Sequence, residues 1–145
     1  MYITRKADYA VRCVLLLSRE EGRVVNVKEV SKSMAIPVSF LSKILQALSR
    51  KGIVRSTQGI SGGYELARKP DQINLLEVIE AVQGVSAANE CAVDKRRCSL
   101  SSTCVVHPVW VDLKRQVEKR LKSETFAKLA RKRRDSTPKR GGRLK

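Results

Sequence analysis

Three cysteines and the only histidine of the chain, Cys91, Cys98, Cys104 and His107, fall within 17 residues of the stretch CAVDKRRCSLSSTCVVHPVW. Their spacing is C-x6-C-x5-C-x2-H. A disulfide would use two of these thiols and leave one over. A structural zinc site of three thiolates and one imidazole is chemically possible. Zinc modules, however, usually present ligand pairs two to four residues apart, and only Cys104 and His107 are that close. The two wide cysteine gaps can wrap a larger object. An iron–sulfur cluster is such an object, and thiolates are its normal ligands. Lys95, Arg96 and Arg97 lie between the first two cysteines. They would favour thiolates, stabilise a reduced cluster, or contact DNA. A pure packing role fits poorly, because the loop is rich in Ser, Lys and Arg and offers no apolar neighbours. Cys13 is different: it sits inside an apolar helical pattern and reads as a core residue.

The charge balance points to a partner. Lys and Arg number 30 against 14 for Asp and Glu, a net +16 over 145 residues. Residues 131–145, RKRRDSTPKRGGRLK, hold eight bases and one acid, which leaves +9 on the rest. A basic body as well as a basic end favours a polyanion, since each neutralised phosphate releases a counterion. No apolar run nears membrane-spanning length, and the N-terminus lacks the apolar core of a signal peptide. The expected location is the cytoplasm, where cysteines stay reduced. An enzyme is a poor fit: the chain has one histidine and no glycine-rich strand–helix motif.

The elements that must position these groups follow from periodicity. Ala7, Ala10, Val11, Val14, Leu15 and Leu17 form a helical stripe from Thr4 to about Arg19, stopped near Gly22. Asn26 caps a short second helix, with Glu29 at capping-box spacing. Ile36-Pro37 breaks the chain. Leu41, Ile44, Leu45 and Leu48 then give a third helix, closed by Gly52. Residues 53–58 and 64–68 read as strands of a hairpin with a glycine-rich tip. Asn74 and Glu77 open a fourth helix that ends at Gly84. Pro108 sits in the first turn of a long helix with Trp110, Leu113, Val117 and Leu121 on one face. A short turn is expected at 123–130 and disorder at 131–145.

Helix, short helix, turn, helix and hairpin make a mainly α fold with a small β-hairpin wing: a winged helix-turn-helix. The expected organisation is a DNA-binding domain at 1–84, a cysteine loop at 85–107, a dimerisation helix with its following turn at 108–130, and a basic tail. The third helix would enter the major groove of double-stranded DNA. Ser39, Ser42, Lys43, Gln46 and Arg50 occupy its outward face and can reach base edges or phosphates. Gln58 and Ser61 on the wing could reach the minor groove or sugar edge, and Arg55 the backbone. Gly59, Gly62 and Gly63 would let the tip approach a phosphate.

These motifs together resemble the Rrf family of winged-helix regulators, in its IscR-like and NsrR-like branches. The likeness covers residues 1 to about 130. It is carried by ITRKADYAVR, IPVSFLSKILQAL, QGISGGYELA, INLLEVIEAV and the three-cysteine loop followed by HPVW. It implies a homodimer built by crossing the long helix over its mate, with a cluster between that helix and the partner's helix-turn-helix. In IscR-like proteins three cysteines and a histidine, here His107, hold a 2Fe–2S cluster. In NsrR-like proteins three cysteines and an aspartate of the partner's first helix, here Asp8, hold a 4Fe–4S cluster. This chain keeps both candidates. It departs from the family in its first cysteine gap, six residues instead of five. Gln58-Gly59-Ile60 replaces the Arg-Gly-Pro of IscR-like wings, and Ser42 replaces a recognition-helix glutamate. The resemblance therefore does not carry an operator sequence across. Zinc or bare redox-active thiols on the same fold remain open, as does a non-sensing, sequence-neutral DNA binder driven by the tail.

Overall fold

A computed structural model describes residues 2–135 of the chain. Among them are α1 (Arg5–Arg19), α2 (Val27–Met34), α3 (Val38–Arg50), β1 (Val54–Thr57), β2 (Gly63–Leu66), α4 (Leu75–Gln83), α5 (His107–Lys122) and α6 (Phe126–Asp135). Three single 3-10 turns lie at Pro70–Gln72, Glu90–Ala92 and Lys95–Arg97. The strands pair antiparallel, with Val54 opposite Leu66 and Thr57 opposite Gly63. This is the expected mainly helical fold with a hairpin wing.

α1 is the hub and packs against α2, α3, α4 and α6. Its N-terminus is capped by the Thr4 hydroxyl, which accepts from the Ala7 amide at 3.1 Å. The core collects Val14, Leu17, Val25, Val30, Ile36, Leu41, Ile44, Leu45, Leu48, Ile53, Ile73, Val78 and Phe126. Each such side chain contributes roughly 1.5–3 kcal/mol of transfer free energy. The four α3 leucine and isoleucine positions are all fully buried, as their i, i+3, i+4, i+7 spacing predicts.

Two local expectations need correction. Only half of a capping box forms at Asn26. Its side chain accepts from the Glu29 amide at 2.9 Å, but the Glu29 carboxylate is taken by Arg23, whose guanidinium donates to it at 2.6 and 3.1 Å. The reciprocal box does form at Asn74 and Glu77. The turn expected at 123–130 is instead the start of α6, which runs to Asp135. The Phe126 amide donates to the Ile73 carbonyl at 3.0 Å, and the Leu75 amide to the Glu124 carbonyl at 2.9 Å. These bonds, with the fully buried Phe126 ring, tie α6 to the body. The first five residues of the expected disordered tail are therefore helical, and 136–145 lie outside the described residues. Among the described residues no helix is long and apolar enough to cross a membrane.

Candidate nucleic-acid interface and cysteine loop

The turn between α2 and α3 sets the angle of the outward helix. Ala35 takes a left-handed conformation (φ 54°) that ends α2. Ser31 secures the turn from both sides: its hydroxyl donates to the Ile36 carbonyl at 2.6 Å, and its carbonyl accepts the Ile36 amide at 3.1 Å. Pro37 then precedes the first turn of α3, where it leaves no needed donor missing. With the leucine face buried, Ser39, Ser42, Lys43, Gln46 and Arg50 are all exposed. Among the described residues none of these five side chains has a hydrogen-bond or ion-pair partner. A face of donors and acceptors satisfied only by water can exchange that water for base edges and phosphates.

The wing is docked as well as paired. Val25 and Tyr64 exchange two backbone hydrogen bonds of 2.8 Å, so the segment before α2 forms a bridge to β2. Gln58 and Ser61 are exposed at the tip, and Ile60 is fully exposed between them. Arg55 pairs with Glu65 across the strands at 2.9 Å and stays largely exposed, so its guanidinium is held on the outer face of the wing. Two of the three glycines also meet a steric need within the wing. A Cβ on Gly62 would stand 2.3 Å from the Thr57 carbonyl oxygen, and one on Gly63 would stand 2.2 Å from that of Val25. Both are needed by the wing's own backbone. Gly59, with φ 100° and open space around it, is the tip glycine that leaves room for a ligand.

Sequence reading passed over an aromatic contact beside this interface. Phe40, half-exposed on α3, meets Tyr9 of α1 edge-on at 5.9 Å, and Arg12 lies over the Tyr9 ring at 5.7 Å. Arg12 also pairs with Asp8 at 2.8 Å and donates to the Met34 carbonyl at 3.4 Å. The aromatic types at 9 and 40 were the available signal. Asp8 is thus at the surface of α1, half-exposed and held by a cation four residues on.

The four cysteines are free thiols. Cys13 is fully buried, and burial pushes its thiol up to about 12. Cys91 is buried in the turn Glu90–Ala92, which packs against α5. Cys98 is exposed and Cys104 half-buried. Cys98 and His107 border one hollow of about 450 Å³, together with Lys95, Arg96 and Ser101. His107 begins α5, and its buried Nδ1 has no hydrogen-bond partner, nor has the buried Ser101 hydroxyl. Of the three bases between the first cysteines, Arg96 is held by Asp94 and Arg97 reaches Glu90 at 4.0 Å. The Arg96 contact keeps the Asp94 carboxyl below the ordinary carboxylate range. Cys98 and His107 thus line one hollow, which Cys91, Cys104 and Asp8 do not line. Among the described residues no three His, Cys, Asp or Glu side chains are grouped to hold a metal ion. The donor types suit a thiophilic metal centre, whereas closure around one requires the loop to move.

α5 carries no buried residue, and Val105, Val106, Val109 and Leu113 are exposed at and beyond its start. This is an apolar flank that one chain leaves uncovered.

Comparison with known proteins agrees with this architecture. The Rrf2 family, described as an iron-dependent transcriptional regulator, matches residues 3–132. The chain is 34% identical over 119 residues to the HTH-type transcriptional regulator IscR of Aliivibrio salmonicida, covering 81% of this chain and 70% of that one. IscR of T. potens superposes with a TM-score of 0.77 at 23% identity, over 97% of this chain and 94% of that one. CymR, the global cysteine regulator of B. subtilis, does so with a TM-score of 0.71 at 24% identity, over 91% and 98%. The two structural likenesses establish the winged-helix fold. With the family match spanning nearly every described residue, the chain belongs to the Rrf2 family of DNA-binding transcriptional regulators.

Proposed function

We propose that this regulator is a cytoplasmic homodimer whose operator binding depends on an iron–sulfur cluster. One observation carries the reading. The thiol-bearing loop is anchored on α5 through the buried Cys91 turn, and the imidazole with the unpartnered Nδ1 is the first residue of that same helix. A change in the loop is therefore delivered to α5.

Cys91, Cys98 and Cys104 would hold the cluster, with His107 or Asp8 of the partner subunit as the fourth ligand. The first set fits 2Fe–2S and the second 4Fe–4S. A bound cluster would supply a centre reactive toward oxidants and nitric oxide. The chain's own residues do the rest. The loop closes as the thiols converge, and α5 shifts with it. The exposed Val106, Val109 and Leu113 flank packs on its copy in the mate, so the spacing of the two α3 helices changes. The regulator's signal is then the difference in DNA affinity between the two loop states. The two α3 helices would read a roughly two-fold operator, through Ser39, Ser42, Lys43, Gln46 and Arg50. Gln58 and Ser61 of the wing would add contacts.

The test is anaerobic purification followed by iron, sulfide and visible-absorption measurements. A brown protein containing both elements is expected, and Cys98→Ser should lose them. Asp8→Asn and His107→Ala then separate the fourth ligands by their Mössbauer or resonance Raman spectra. Leu113→Glu should convert the dimer to monomer in sedimentation velocity. Oxygen-free protein devoid of iron and sulfide would refute the cluster.

A second reading has its own observation. The thiols are free and, among the described residues, not grouped around a metal, with Cys98 exposed, which also fits bare redox-active cysteines or a zinc site on the same fold. A colourless protein with zinc, or one whose DNA affinity follows thiol oxidation without metal, would favour it. A sequence-neutral binder driven by residues 131–145 would instead lose nearly all operator affinity when they are deleted.

A further inference from the structure

Most of the positive charge is not on the reading head. Residues 1–84 carry +5 of the net +16, while residues 107–145 carry +10. Within the described part of that excess, Arg115, Lys119 and Lys122 form one exposed row on α5, bordering a hollow of about 470 Å³. Among the described residues none of the three has an ion-pair or hydrogen-bond partner. Other cations of the same helix are compensated: Lys114 pairs with Glu118 and Arg120 with Glu124. Arg115 and Lys119 are instead i,i+4 neighbours of like sign, which repel and weaken a helix. Glu118 lines the same hollow, but its carboxylate is paired with Lys114.

The row is exposed and lies off the apolar flank of the same helix. At 3.6 residues per turn it lies about 130° round α5 from the exposed Val109 and Leu113, so packing through the apolar flank leaves it open. The α5–α6 corner is stitched to the start of α4 by the Leu75–Glu124 and Phe126–Ile73 backbone bonds. That start is in turn tied to the wing base by Arg68, which donates to Glu77 at 3.0 Å and to the Gly52 carbonyl at 3.2 Å. The Lys122 end of the row is therefore tied through α4 to the base of the wing. Lys122 also borders Glu77 and Glu80 of α4, the first of which is already held by Arg68.

We infer that Arg115, Lys119 and Lys122 form a second DNA-binding surface, which grips backbone phosphates of the duplex flanking the operator. This rests on the DNA-binding part of the proposed reading and not on its cluster. The surface supplies affinity and footprint; sequence is read by α3.

The test uses the full chain and an operator selected from a random duplex pool. Binding is measured on a duplex trimmed to the operator and on one carrying about 15 flanking base pairs per side, on the order of one and a half helical turns. Wild type should prefer the flanked duplex, with a steeper salt dependence. The R115Q/K119Q/K122Q variant should match wild type on the trimmed duplex and lose the flank preference. Its salt slope on flanked DNA should be shallower by about 2.7 per protomer, at about 0.9 per phosphate. Lys43→Gln should weaken both duplexes and keep the preference. Absence of a flank preference in wild type, or its survival in the triple variant, would overturn the inference, as would equal weakening of both duplexes by that variant. An iron-free protein that still shows the preference would leave this surface standing while the cluster reading fails.

Discussion

Gly63→Ala tests whether the wing is positioned by its docking to the body. The added Cβ would lie 2.2 Å from the Val25 carbonyl oxygen, where real Cβ contacts stop near 3.0 Å. The two backbones must part by at least about 0.8 Å to admit it. The Val25 and Tyr64 bonds, both 2.8 Å, would then stretch to about 3.6 Å, beyond hydrogen-bonding range. Two backbone bonds at about 1 kcal/mol each give a destabilisation of roughly 2 kcal/mol. For a chain of this size that is a fall in Tm of about 6–8 °C. Urea denaturation and a thermal melt measure it, and fluorescence anisotropy with labelled operator measures the wing's loss of aim. Gly59→Ala is the control. It meets no atom within 4 Å, so its strain at φ 100° stays at the tip. It should cost about 1 kcal/mol, a fall in Tm of about 3–4 °C and half that of Gly63→Ala. A Gly63→Ala protein melting within about 1 °C of wild type would refute the docking argument, because that shift corresponds to only a few tenths of a kcal/mol.

Phe126→Ala should destabilise by about 3–5 kcal/mol in urea, since the ring is fully buried and holds α6 to the body; a loss below about 1 kcal/mol would remove α6 from the core. In the native protein iodoacetamide should label Cys98 first and spare Cys13, whose thiol is pushed up to about 12 by burial, until the chain is unfolded. Mass spectrometry showing early Cys13 labelling would contradict its burial. Arg23 holds the Glu29 carboxyl below its ordinary range. The folded value is thus lower than the unfolded one, so the pair's contribution is complete at neutral pH and fades as pH falls through the folded value. Arg23→Gln should therefore differ most from wild type at neutral pH and converge with it below the carboxylate range, about pH 4. A gap that widens on acidification would reverse the assignment.

Strong periodicity made the main helices readable. Leu41, Ile44, Leu45 and Leu48 leave α3 only one way to bury a face, and the outward residues follow by subtraction. Competition between partners was not readable. Asn26 and Asn74 each have glutamate three residues on, but only Asn74 closes the box, because Arg23 captures Glu29 from outside the motif. The same holds for Arg55, which Glu65 takes across a register that spacing alone does not specify. α6 was hidden for another reason. Its apolar signal is little more than Phe126 and Leu129 before a basic run, and its anchor is a long-range pair of bonds to residues 73–75. The thiol loop lay between these cases. The donor types were plain in the sequence, but which donors meet depends on a backbone that has only two single 3-10 turns between Gly84 and α5.

That irregularity bears on how a sensor could work here. The loop's backbone bonds are mostly local, such as Cys98 to Lys95 and Cys104 to Leu100, and its ion pairs join residues within the loop itself. Such a segment opens at low free-energy cost compared with the α1–α3 core. Order imposed on it by a ligand is then a large relative change, paid for by ligand binding and not by the fold. Cys91 is the exception: it is buried, in a turn that packs against α5, and on the proposed reading it would convert loop order into helix position. On the proposed reading Cys91→Ala and Cys98→Ala both lose the cluster, but only the first should also uncouple loop from helix. Hydrogen exchange at the start of α5 separates them. Cys91→Ala should speed exchange there in metal-free protein, whereas Cys98→Ala, altering an exposed side chain, should not. Equal exchange in the two variants would mean that the loop has no mechanical hold on α5.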